Sequence, residues 1–102
     1  MEYPEFEIEK IPRPIRSEDD VKNNITTYYF VEKKGTGFNI HLHSYDHTII
    51  CTKGSMRIYH GENVYDIKGG DPAATMTANV WHASENLEDG TEFHIIHPLG
   101  LM

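Results

Sequence analysis

Short stretches in which apolar and polar residues alternate fill most of the chain, and each ends at a cluster of Gly, Asn, Asp or Pro. A period of two marks strands that turn one face to a core. It predicts strands over residues 5–11, 25–32, 37–43, 47–53, 55–60, 63–67, 73–77, 80–85 and 91–97. Turn chemistry separates them at Lys34-Gly35-Thr36-Gly37, Lys53-Gly54, His60-Gly61-Glu62-Asn63, Lys68-Gly69-Gly70-Asp71-Pro72 and Asp89-Gly90. No stretch carries a convincing helical stripe. Residues 17–24 offer one short turn of helix with Ser17 as N-cap, or else a solvated loop. Nine short strands at regular spacing make an all-β sandwich or barrel. The 102 residues suffice for one core, and no repeat or linker divides them, so a single domain over 1–102 is expected.

Composition narrows the partners. A net charge of -7 with only nine Lys and Arg argues against nucleic acid and against an anionic membrane surface, both of which need basic patches. No apolar run approaches the roughly 18 residues of a membrane span. The opening residues through Phe6 alternate charged and apolar groups instead of forming a signal-peptide core, so a cytoplasmic location is expected. A lone cysteine, Cys51, excludes an internal disulfide and suits that reducing compartment. Seven histidines are the one compositional oddity.

Four of those histidines form a pattern. His41 and His43 lie two apart in a predicted strand, so both imidazoles point the same way. The turn Ser44-Tyr45-Asp46 brings His47 to the start of the next strand, and His82 follows in a later strand just after a loop. Neutral imidazole is the commonest side-chain metal ligand, and adjacent strands hold such a site rigidly. The residues alone leave three readings: an open metal site, a closed structural ion, or a barrel whose histidines are merely satisfied.

The spacing resembles that of the cupins. Their first motif, G-x5-H-x-H-x3–4-E-x6-G, is met by Gly35, His41, His43, His47 and Gly54, with His47 in place of the Glu. Their second motif, G-x5-P-x-G-x2-H-x3-N, is met at His82 and Asn86. Asn79 stands for its last Gly, Thr77 for its Pro and Asp71 for its leading Gly, with Gly70 beside it as the turn residue. The match covers residues 35–97 and is nearest to compact four-histidine cupins, some of which bind manganese and catalyse oxidations.

The resemblance implies a cupin-type double-stranded β-helix, or jelly-roll barrel. It also implies one divalent metal ion held by His41, His43, His47 and His82, with manganese or iron favoured and nickel, copper or zinc as alternatives. Four neutral nitrogens leave the ion's charge uncompensated, which favours a strong Lewis acid with positions open to a small molecule. The expected activity is a dioxygenase-type oxidoreductase. A non-enzymatic metabolite- or sugar-binding module and a sugar isomerase or lyase are the alternatives, the latter weakened by the missing Glu. Tyr28 and Phe93 fall near the pocket by the family alignment, and Met76 and Ile49 join them on inward faces. Cys51 shares the face of His47 and reads as a small buried hydrophobe. His94 and His97 lie on opposite faces of the last strand and read as peripheral, and His60 reads as an exposed turn residue. Asp46, Glu85 and Asn86 are candidates to fix imidazole tautomers. With His41 and His43 inward, Phe38, Ile40 and Leu42 face outward and need a cover. Phe6, Ile8 and Ile11 of the same chain or of a second copy can supply it, and a homodimer is expected.

Overall fold

A computed structural model describes residues 2–102 as nine strands and one 3-10 turn, η1 (Ile8–Lys10). The strands are β1 (Arg16–Asp20), β2 (Ile25–Glu32), β3 (Gly37–His41), β4 (His47–Lys53), β5 (Ser55–His60), β6 (Asn63–Lys68), β7 (Ala74–Met76), β8 (His82–Asn86) and β9 (Thr91–Pro98). They pair antiparallel into a five-stranded sheet, β1-β2-β9-β4-β7, and a four-stranded sheet, β3-β8-β5-β6. Two packed antiparallel sheets with these crossings form a jelly-roll barrel. No helix among the described residues is long and apolar enough to cross a membrane.

Alternation fixes which side chains turn inward. In β9 Thr91, Phe93, Ile95 and His97 are buried, and in β4 His47, Ile49 and Cys51 are. The β4–β9 register pairs Cys51 with Phe93, Ile49 with Ile95 and Thr48 with Ile96. One end of the two strands is therefore apolar and the other carries His47 and His97. At the apolar end Phe30 stacks on Phe93, with centroids 4.7 Å apart at 6°, and Met56, Ile58 and Ile67 belong to the same buried cluster, while Met76 of that cluster lies opposite His47 in the β4–β7 ladder. Aromatic pairs of this kind add about 0.5–1.5 kcal/mol beyond the area they bury.

Two expectations about the N-terminal third are overturned. Residues 17–24 are not a helical turn: Arg16–Asp20 is an edge strand paired with β2, followed by a turn in which Asp20 accepts from Asn23 and Asn24 sits at φ 56°. Almost wholly polar, β1 is held by side chains. The Arg16 guanidinium lies 3.6 Å from the Tyr29 ring centroid, Tyr29 donates to Glu18, and Thr26 donates to Asp19. Residues 5–11 are not a strand but a strap. The Phe6 amide donates to Asn39 Oδ1 at 2.5 Å, and Asn39 Nδ2 donates back to the Phe6 carbonyl at 2.9 Å. Pro4, Pro12 and Pro14 remove the amide donors that a ladder needs around it.

A bulge in β3 overturns a third. The β3–β8 ladder pairs Phe38 with Ser84 but His41 with His82, a shift of one residue. Opposite parities therefore reach the same face. Phe38 is not outward: it packs edge-on against Phe30, with centroids 5.7 Å apart, while His41 also turns inward. Ile40 and Leu42, 38% and 39% exposed, are left outside.

Candidate metal centre

The histidines sit at the end of the barrel away from the apolar core. His41 and His82 lie opposite each other in the β3–β8 ladder. The loop between β3 and β4 is fastened to the loop before β8: the Asn79 amide donates to the His43 carbonyl at 2.7 Å, and the Ala78 amide donates to Asp46 Oδ1 at 2.7 Å. Asn79 holds φ 62°, a left-handed conformation that Asn tolerates nearly alone among residues with a side chain. The residue that departs from the motif's Gly thus keeps the backbone that a Gly would give. Gly70, at φ 93°, likewise supplies the turn next to Asp71.

One ligand nitrogen from each of His41, His43 and His82 lies within 4.8 Å of the others. His41 Nδ1 lies 2.6 Å from the Asn39 carbonyl, and His82 Nδ1 lies 3.0 Å from the Val80 carbonyl. A carbonyl only accepts, so both rings carry their proton on Nδ1 and leave Nε2 as a bare lone pair. These two Nε2 atoms are 3.1 Å apart. Two lone pairs at that distance repel, unless a cation lies between them. Nitrogens that bind one ion at roughly 2.0–2.2 Å stand roughly 2.8–3.6 Å apart, so the spacing suits a shared metal. Backbone carbonyls set these tautomers. Asp46, Glu85 and Asn86 do not: Asp46 binds the Ala78 amide, Glu85 accepts from Tyr59, and Asn86 donates to Thr36.

His47 stands beside this trio, its ring centroid 5.0 Å from that of His43 and 4.7 Å from that of His82. A fifth imidazole joins them. His97 is not peripheral: it is buried and stacks on His47, centroids 4.7 Å apart at 6°. The apolar parity of Phe93 and Ile95 carried the signal, since His97 follows them on one face. His94 lies on the other face against Tyr29. His60 is half-buried opposite His82 in the ladder, and its Nε2 accepts from the Thr77 amide.

Burial far from counter-charge keeps His43, His47, His82 and His97 neutral. Desolvation, reinforced by the neighbouring imidazoles His82, His97, His43 and His41, lowers the pKa of His47 to about 2. His82 falls to about 4, mainly by burial and against the pull of its Val80 hydrogen bond, and His97 falls to about 4 through burial, His43, His41 and His82. His43 is lowered by burial and then by His41. Neutral imidazole is the form that binds metal.

Beside the histidines opens a cavity of about 330 Å³. Ile11, Phe38, Ile40, Ile49, Ile95 and Met102 supply its apolar lining, and His41, His43, His47, His97 and Asn39 its polar lining. Of the four side chains expected around a pocket, Ile49 lines this cavity. Phe93 and Met76 do not: both are sealed in the core, 2% and 0% exposed. Tyr28 is also absent from the lining and stands edge-on to His97, with centroids 5.6 Å apart. Cys51 is buried at the far end of β4, its thiol directed at the Lys53 and Gly54 carbonyls and its pKa raised by burial.

No curated protein matches the chain in sequence. Among solved structures, it is similar to a conserved protein of unknown function from Streptococcus pyogenes (TM-score 0.67, 18% identity, covering 78% of this chain and 68% of that one). It is also similar to a cupin-2 domain protein from Shewanella frigidimarina (TM-score 0.65, 20% identity, 85% and 78%). A third is the oxalate decarboxylase of Bacillus subtilis, studied for its Mn(II) centres (TM-score 0.68, 21% identity, 78% and 22%). The chain thus spans about a fifth of that enzyme's length, and at these identities the likeness is one of fold. The model of the cupin domain family matches residues 28–97, which hold all five clustered histidines and most of both sheets. The chain belongs to the cupin family.

Proposed function

We propose that this protein is a metal-dependent oxidoreductase of dioxygenase type acting on a small organic molecule, with its ion held by His41, His43, His82 and His47. The observation that carries the reading is the pair of bare Nε2 atoms of His41 and His82, 3.1 Å apart, with His41 itself lining a largely apolar cavity. Manganese or iron is the favoured ion, and an all-imidazole set also accepts nickel, copper or zinc. When bound, the ion supplies a Lewis acid that draws in and polarises oxygen atoms of a ligand. The chain's own contribution is to present neutral nitrogens, fix two of their tautomers through Asn39 and Val80, and line the approach with Ile, Phe and Met side chains that exclude water.

The lining contains no carboxylate, lysine or arginine. The only imidazole there outside the proposed metal set is His97, whose pKa of about 4 makes it a weak base and keeps it from acting as an acid near neutral pH, which disfavours an isomerase or lyase. A non-enzymatic metabolite-binding module is the competing reading, because the same cavity can hold a ligand without turning it over.

Titration of metal-free protein with Mn(II) and Fe(II), followed by oxygen-electrode assays with diketones, phenols and alkenes, separates these outcomes. His41→Ala should weaken metal binding by at least about a hundredfold while the barrel keeps its far-UV spectrum. Unchanged affinity in that variant removes the site. Metal binding without oxygen uptake on any of these substrates moves the binding module ahead.

A further inference from the structure

We propose that His97, which neither cupin motif contains, is a ligand-recognition residue of this site. It offers an Nε2–H donor to an oxygen atom of a compact, largely apolar, at most singly anionic ligand. The proposal rests on the metal-site reading above and adds a residue and a ligand class to it.

Three observations converge on His97. It is 4% exposed, yet it lines the cavity. Its Nδ1 is sealed off without a hydrogen-bond partner, so Nε2 is the nitrogen left for the cavity. A buried N–H without an acceptor is rarer and costlier than a bare lone pair, which places the proton on Nε2. The ring is also fixed in place. His47 stacks on one face, while Tyr28, Tyr45 and His43 meet it edge-on at centroid distances of 5.6, 5.7 and 5.7 Å. A donor held this firmly loses little freedom when a ligand arrives.

The cavity lining sets the ligand class. Six apolar side chains and no cationic one surround about 330 Å³. A dianion such as oxalate would meet no counter-charge except the metal and would give up its hydration against Ile and Met. A ligand with an apolar body and one or two oxygens at one edge matches the cavity better. One oxygen then faces the His41, His43 and His82 trio, and His97 is the donor available beside it.

The test uses Mn(II)-loaded protein with tropolone, an apolar ring bearing a singly anionic oxygen pair, and oxalate as the contrasting dianion. Calorimetry should show tropolone binding at least about tenfold tighter than oxalate, the scale set by the dianion's larger desolvation cost, since either ligand can accept from His97. His97→Phe keeps a flat ring and removes the donor, and should weaken tropolone about tenfold while Mn(II) affinity, titrated separately, stays within about threefold. His97→Gln restores an N–H and should recover part of the loss. It also keeps the test decisive if the Phe variant does not fold. Mn(II) affinity that falls together with tropolone affinity in the Gln variant would make His97 a metal ligand and overturn the proposal. Unchanged tropolone binding, or oxalate binding as tightly, overturns it as well. A wild type that takes up no Mn(II) fails the metal-site reading itself, visibly and before either ligand is added.

Discussion

Acidifying the metal-free protein should unfold it through its histidines. His82 and His97 are held at about 4 and His47 at about 2, against about 6.5 for a free imidazole. The folded state therefore resists protons that the unfolded chain accepts. Stability from these groups is fully present above about pH 6.5 and is lost as pH falls. Each group loses about 1.4 kcal/mol per pH unit until its own folded value is reached. By pH 5 that is about 2 kcal/mol for each of the three, or roughly 6 kcal/mol together, in a domain whose total is expected at about 5–15 kcal/mol. His43 and His94, also lowered by burial, act in the same direction. Overall charge does not explain such a loss, because the net charge of -7 shrinks toward the isoelectric point near 5.4 and relieves repulsion. Urea melts of chelator-treated protein from pH 7 to pH 5 give the slope directly. It should reach at least about three protons taken up on unfolding, and fall by about one in His97→Phe. A midpoint that stays flat over this range would refute the neutral, desolvated cluster.

Two further expectations concern the strap and the outer face. A Cβ on Gly37 would overlap both the Ser84 carbonyl oxygen and the Phe6 ring, so Gly37→Ala should cost about 2 kcal/mol or more and expose residues 3–15 to hydrogen exchange and proteolysis. Unaltered protection of that segment would show that the strap is not seated against β3. Ile40 of β3 and Leu42 just beyond it are exposed, and if a second copy covers them light scattering at micromolar concentration should give the mass of a homodimer. The 11.7 kDa mass of one chain would exclude it.

How much of this was legible in the sequence depended on whether a residue's neighbours were set by alternation alone. β2, β4 and β5 occupy the expected residues because apolar parity and flanking turns define them without reference to any partner strand. β1 was hidden because Arg16–Asp20 has no apolar face. It becomes a strand only through Tyr29 and Thr26 of its partner. Residues 5–11 misled in the opposite sense: their alternation is genuine, but prolines and the Asn39 amide bind them as a strap and not as a ladder.

The bulge in β3 shows why the site needed both kinds of information. Strict parity places Phe38 and His41 on opposite faces, so one of them must be misassigned from sequence. With one extra residue between them, Phe38 closes the apolar core and His41 reaches His82, while Asn39 at the bulge directs its carbonyl to His41 Nδ1 and its amide group to Phe6. A single irregularity thus joins three functions: sealing the core, fixing a ligand's tautomer, and anchoring the segment whose Ile11 borders the cavity. His97 escaped for a related reason. Its inward face was readable from Phe93 and Ile95, but its place beside His47 follows from the β4–β9 register, which aligns Thr48 with Ile96 and so brings the next inward pair together at the cavity.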